Sequence, residues 1–512
     1  MNGNEIDTLD TQDQILELKD FSGGLNIKSA DFLVKDNQAT ERLNCHSDET
    51  GAVVKRNGRQ YLNSAEIVAG KGIYGLYKFY KSPNLSYFLA GCNTDLYLWS
   101  GTAWGTLSQT LTVNSRFDFA TYDVSNICLI CNGVNAPMTY DGASVSAMGG
   151  SPPATMAAVI IHRNRAFAYT PNSSYLYCSA LGNMESWDTT NWKWSVGSTT
   201  GDFLTGFGVL SGYLVLFKQN SVRLFMTDGD RTGWQMGDPL TTKGCIARHS
   251  ICNAMIKGKP VLIYLSADGV YAFDGYGSFS LTENDIDPIF TSASYTYKLN
   301  RTNADTSVGE VHNNKYYLSY PYGSGSAPNR TLVFDLINGG WSVFDYGVRC
   351  FCEFRGKGSS RELYSGLTAT GYVVREDYGD YDLTDDSDGD ITMTYKSKYF
   401  APAGANIINQ FWKYFCRAEP SENTTLRTAL DTDFGKRIVE DRQHLSIISA
   451  AWDDVNWDEF EWGGGSEIQL YNKSLEQRLV GKQIAVELYN KDWADIKVHY
   501  VGVKFTPEYF DE

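Results

Sequence analysis

The feature that most constrains this chain is a recurring layout of short strands and polar turns. Seven stretches share it: an aromatic-rich alternating strand, a short polar turn, a second strand, then a Gly/Asp/Asn turn and a short closing strand. They begin near Gly72, Ser115, Ala157, Gly201, Ile246, Ser307 and Val348, so successive starts lie 43, 42, 44, 45, 61 and 41 residues apart. A period of roughly 40 to 50 residues is that of a four-stranded propeller blade. One blade cannot bury both of its faces, so several must pack around an axis, and radial closure leaves few exposed edges. The spacing predicts an all-β chain with a β-propeller of about seven blades, six or eight being the nearest miscounts. The long fifth interval holds Leu281 to Arg301, read as an insertion with a short helix near residues 285–292.

The hairpins are legible directly. Tyr213 to Phe217 turns through Lys218-Gln219-Asn220 into Ser221 to Phe225, and Val261 to Leu265 turns through Ser266-Ala267-Asp268-Gly269 into Val270 to Phe273. Pairs such as Asp141-Gly142, Asp274-Gly275 and Asn338-Gly339 offer the positive φ angles that two-residue hairpins require. The 33 Tyr, 25 Phe, 12 Trp and 48 Gly suit strands and tight turns, and a 42% hydrophobic share excludes a disordered chain.

Residues 1–71 read as an N-terminal arm and closing segment, 72–379 as the propeller, 380–390 as an acidic linker, and 391–512 as a C-terminal antiparallel β-sandwich. The acidic run opens at Glu376 to Asp382 and goes on through Asp385, Asp386, Asp388 and Asp390 with no basic residue between. With 44 basic and 60 acidic residues the net charge is −16, a field that repels phosphate backbones and anionic lipid. No apolar run approaches the roughly 20 residues that cross a bilayer, and the start of the chain is polar and acidic, unlike a signal peptide; synthesis in a cytoplasm is expected.

Motifs of catalysis or metal binding are weak. The nearest approach to a Gly-x-Ser-x-Gly elbow is Gly323-Ser324-Gly325-Ser326-Ala327, a hairpin loop, and no phosphate-cradling Gly-rich loop ends in Lys-Ser/Thr. Cys128 and Cys131 have knuckle-like spacing, but an offset of three on a strand puts them on opposite faces. Cys350 and Cys352 share a face with Val348 and Phe354, which is core packing. The ten cysteines are read as reduced and mostly buried, and the six histidines as structural. No catalytic residue, metal or cofactor is expected. Trp452, Trp457 and Trp462 recur every fifth residue in an acidic stretch and are the candidate interface residues.

Three features together resemble the tail hub or nozzle proteins of short-tailed phages, the packaged-DNA stabilisation family. They are Phe21-Ser22-Gly23-Gly24-Leu25-Asn26 followed by Asn44 and Gly51 to Gly58; the aromatic propeller around Gly206 to Phe225 and Leu265 to Tyr271; and the acidic linker leading to a Trp-bearing C-terminal part. The resemblance implies a non-enzymatic structural protein of the virion tail. Such a protein forms a homo-oligomeric ring, six copies in the family, below the portal and adaptor. It contacts the head-to-tail connector and tail fibre or needle proteins, and surrounds double-stranded DNA in transit. An acidic lumen would let DNA slide. The rival readings are a glycan-binding propeller, motivated by the many Tyr and Trp that could stack on sugars at blade loops, and a glycoside hydrolase, supported by fold analogy alone.

Overall fold

Short strands that alternate apolar and polar residues need a second layer against each apolar face. The computed structural model describes residues 13–197, 201–355, 360–383, 389–421, 423–435, 437–445, 468–492 and 494–508. The chain divides into two compact units: residues 59–337 with 345–377, and residues 1–58 with 338–344 and 378–512.

The first unit is a β-propeller. Six antiparallel sheets stand separately in it. Blade A is Ile73–Ser82, Leu85–Cys92, Asp95–Trp99 and Trp104–Thr106; blade B is Asp118–Tyr122, Ile127–Cys131, Met138–Tyr140 and Val145–Ala147. Blade C is Ala158–His162, Arg165–Tyr169, Tyr175–Ala180 and Asn183–Trp187, with Lys193–Ser195 added; blade D is Leu204–Leu210, Tyr213–Lys218, Val222–Met226 and Gln235–Met236. Blade E is Cys252–Ile256, Lys259–Ser266, Gly269–Phe273 and Ser278–Ser280. Blade F is Val348–Arg355, Arg361–Leu367 and Val373–Glu376, and takes its fourth strand, Gln60–Tyr61, from the start of the unit.

The expected count of seven is therefore corrected to six independent blades. The interval that begins near Ser307 does form an antiparallel meander, Val308–His312, Lys315–Tyr320 and Arg330–Asp335. It is not a sheet of its own, because the strand that would close it, Trp341–Phe344, belongs to the second unit, where Val343 pairs in parallel with Leu43. The insertion before it contains a short helix, Pro288–Thr291, as expected.

Blades pack through faces set by strand alternation. On Ile127–Cys131, Cys128 and Ile130 join Leu89 and Leu96 of blade A, whereas Leu129 and Cys131 join Val159 and Ala168 of blade C. Cys350 and Cys352 pack with Ile73, Phe88 and Cys92, so blade F rests on blade A and the succession of blades returns to its start. All ten cysteines are buried and unbridged.

In the second unit one sheet holds Cys45–Ser47, Val53–Lys55, Ile496–Glu508, Ile408–Pro420 and Gln469–Gly481, with Gln14–Leu18 also paired to Ile496–Glu508. The other runs Trp341–Phe344, Ala39–Leu43, Met393–Ser397, Ile484–Asn490, Thr424–Thr432 and Arg437–Leu445. One apolar cluster joins them, with Phe21, Tyr395, Phe411, Tyr414, Val486 and Val501 in it. Residues 13–58 are thus part of this unit, not a separate arm; Leu18, Phe21, Cys45 and Val53 bury themselves in the core shared with residues 393–505.

The N-terminal motif has a structural cause here. Gly24 has φ +77°, and a β-carbon on it would run into the backbone of Gly340 and Trp341, with which Leu25 N–H makes a 2.8 Å hydrogen bond. Asn44, at φ 52°, donates from Nδ2 to the Thr392 carbonyl at 2.8 Å and accepts from Arg56 Nε at 3.0 Å. These are close approaches that only small or amide side chains satisfy.

Candidate functional site: a charged cavity on the propeller axis

The start positions read from the sequence fall at, or a few residues before, the first strand of each blade and of the meander. These first strands are the innermost, and they enclose a cavity of about 500 Å³. Close packing there favours glycine: a β-carbon at Gly75 would sit 2.8 Å from Phe117 Cβ, and one at Gly206 would strike Ile251.

One end of the cavity is cationic. Arg116, just before the first strand of blade B, reaches across to the meander and to blade F. Its Nη1 donates to the carbonyl of Thr306 at 3.0 Å and Asp305 at 3.3 Å, and its Nη2 to the carbonyl of Arg349 at 2.9 Å. Its Nε is buried without a partner. Burial, reinforced by the Arg248 charge, lowers Arg116 to about 9. Arg248 precedes blade E and donates from Nε to His249 Nε2 at 2.9 Å. Burial pulls Arg248 down, but Asp118 and Tyr169 outweigh it and hold the group above its ordinary value. His249 is driven well below the usual histidine range by burial and by Arg116 and Arg248, so its imidazole is neutral. Asp118, raised by burial in spite of Arg248, accepts a hydrogen bond from Val159 N–H at 2.9 Å.

The other end is acidic. Glu310, on Val308–His312, accepts among the described residues only from its own neighbour Val311 N–H at 3.1 Å. Burial and the nearby Glu353 raise it to about 7. Glu353 is better supplied: His312 Nδ1 lies 3.2 Å from Oε1 and Arg361 Nη1 3.1 Å from Oε2. The Arg361 side chain is 58% exposed, which places this end at the cavity mouth. Tyr77 and Phe119, stacked at 5.3 Å, also line the wall with Phe207, Ile251 and Phe351, although the surface it presents to the cavity is mostly polar.

Chemically this arrangement offers charged groups of both signs to a bound molecule. The thiols on the wall are poor nucleophiles, because burial raises Cys252 well above the usual range and Cys350 to about 12. Among the described residues no cluster of His, Cys, Asp and Glu is arranged to hold a metal ion. Trp452, Trp457 and Trp462 lie outside the described residues, as do Asp385, Asp386 and Asp388. The Gly323 to Ala327 stretch lies in the loop between Lys315–Tyr320 and Arg330–Asp335. Sequence reasoning nominated none of Arg116, Arg248, Glu310 or Glu353. The available signal was a charged residue in or just before the first strand of a repeat, where glycine and apolar residues otherwise prevail.

No protein-family model matches the sequence, and no curated protein does. Among solved structures the chain is similar to the extracellular domain of a B. thetaiotaomicron protein at 11% identity and TM-score 0.33, covering 73% of this chain and 41% of that one. It is also similar to YCF48 from Cyanidioschyzon merolae at 12% identity and TM-score 0.37, covering 62% of this chain and 98% of that one. A third, BBS1N in complex with ARL6DN, has 11% identity and TM-score 0.29 over 50% of this chain and 74% of that one.

Proposed function

We propose that this chain is a structural tail protein of a short-tailed phage, a hub or nozzle subunit that forms a ring around the path of DNA. The observation that carries the reading is the N-terminal motif. Phe21 to Asn26, Asn44 and Gly51 to Gly58 fasten the chain start into the same unit as residues 378–508, so a propeller is inserted in sequence between two parts of one β unit. We read the two sheets of that unit as a sandwich. Two different rigid modules on one chain suit the head-to-tail interface of a closed ring.

Arg116 bridges the propeller axis from blade B to blade F, so a duplex has no path through a single wheel. The DNA channel then lies between subunits, and an overall charge of −16 favours a wall along which DNA slides. Negative-stain microscopy and native mass measurement of the purified or co-expressed protein test this reading. Six-membered rings with a central channel are expected, and isolated discs that bind glycans on an array would replace it with the receptor-binding alternative.

A further inference from the structure

We propose that the axial cavity binds a small zwitterion of the ω-amino-acid or short-peptide class, its carboxylate at Arg116 and Arg248 and its ammonium at Glu310 and Glu353. The proposal does not rest on the tail reading.

Two half-buried charges of opposite sign line one cavity, and neither has an ionic partner at contact distance among the described residues. Arg116 is bonded to neutral carbonyls, and Glu310 to a single backbone N–H. An uncompensated buried charge is costly, and an inorganic ion would relieve only one of the two. A molecule carrying both signs relieves both.

The spacing sets its length. Arg116 is anchored at the carbonyls of Thr306 and Ser307, and Glu310 stands three residues beyond Ser307 on the same extended segment. At about 3.3 Å per residue the two charged ends are separated by roughly 10 Å along the axis before the side chains reach inward. That suits a chain of about five methylenes with a charged group at each end. Phe119, Phe207, Ile251 and Phe351 on the wall offer contacts to the methylenes, and about 500 Å³ falls within the range of small-molecule sites. Glu353 and exposed Arg361 mark the entrance.

Isothermal titration of the full chain at neutral pH with 6-aminohexanoate, pentane-1,5-diamine and hexanedioate decides the matter. The amino acid is expected to bind at least about tenfold more tightly than either single-sign probe, with Glu310→Gln weakening it by about tenfold or more. Equal affinity for the diamine would reduce the site to a cation pocket and overturn the proposal, and equal affinity for the dicarboxylate would do so from the other side. Absence of saturable binding up to about 10 mM would also overturn it. The three-probe comparison on the unmodified chain stands even if the variant fails to fold.

Discussion

The propeller and the second unit are made of the same material, antiparallel strands rich in aromatic and β-branched residues, but they draw partners from different distances along the chain. Every strand of blade B pairs within residues 118–147, by successive hairpins. In the second unit Leu16 lies opposite Val503, and Arg42 opposite Tyr395. Local pairing forms early and repeats, whereas distant pairing must first close long loops. The difference predicts where each unit is vulnerable: the propeller at its one long-range joint, the second unit wherever its N-terminal strands dock.

The propeller's joint is the outer strand of blade F. Arg59 forks onto Glu376, with Nε–Oε2 at 2.8 Å and Nη2–Oε1 at 2.9 Å, and both side chains are almost wholly buried. Glu376→Ala takes the carboxylate and both of these bonds from a buried guanidinium and should destabilise the propeller by about 3–5 kcal/mol. Urea unfolding followed by a probe in the propeller measures this; a loss below about 1 kcal/mol would mean that blade F closes without the joint.

Gly24→Ala is the matching lesion in the second unit. It meets both the cost of φ +77° and the backbone of Gly340 and Trp341, together about 2–4 kcal/mol. The loss should fall on the transition of the second unit, with the propeller transition unmoved, in calorimetry of the full chain. A shared shift of both transitions would show that the two units unfold as one.

What the sequence made legible follows the same division. The blade starts were readable because each innermost strand is a local unit opened by a turn, and the opposed faces of Cys128 and Cys131 followed from alternation alone. Turn chemistry was misplaced. Asp141-Gly142 and Asp274-Gly275 lie in four-residue loops: the Asp141 carboxylate accepts from Ala143 and Ser144 N–H at 2.8 Å, so only the glycine needs positive φ. Two-residue turns with both residues at positive φ include Arg163-Asn164, Ser211-Gly212, Lys257-Gly258 and Asn313-Asn314, none of them an Asp-Gly or Asn-Gly pair. The docking of residues 14–55 was invisible, since pairing across more than 300 residues leaves no period. The cavity was missed for a related reason: Glu310 and Arg116 acquire meaning only once their strands are known to face one axis.

Glu310→Gln separates the cavity from the packing around it. A folded-state value of about 7 against an ordinary 4.5 means that folding disfavours the charged form. The native chain therefore carries no penalty below about pH 4.5, loses stability as pH rises toward 7, and stays penalised above. The amide should stabilise the propeller by about 1–2 kcal/mol at pH 8, discounted for cavity water, and by close to nothing at pH 4.5. Denaturant midpoints at the two pH values check it, and a gain that is equal at both would assign the effect to packing.

The smallest effect tests the local side of the contrast. Asn164 holds φ 57° in the tight turn between Ala158–His162 and Arg165–Tyr169. Its carbonyl accepts from Tyr122 Oη at 3.0 Å and from Gly182 N–H at 2.9 Å, bonds that a side-chain change leaves in place. Asn164→Ala adds the left-handed penalty of an ordinary residue, about 1 kcal/mol, while Asn164→Gly should stay within about 0.5 kcal/mol of the parent. Because that hairpin closes over two residues, the alanine should slow refolding of the propeller as well as lower its stability, and stopped-flow refolding reads both. Faster unfolding at an unchanged refolding rate would place the turn after the rate-limiting step, and the propeller would then owe its assembly to blade packing more than to its hairpins.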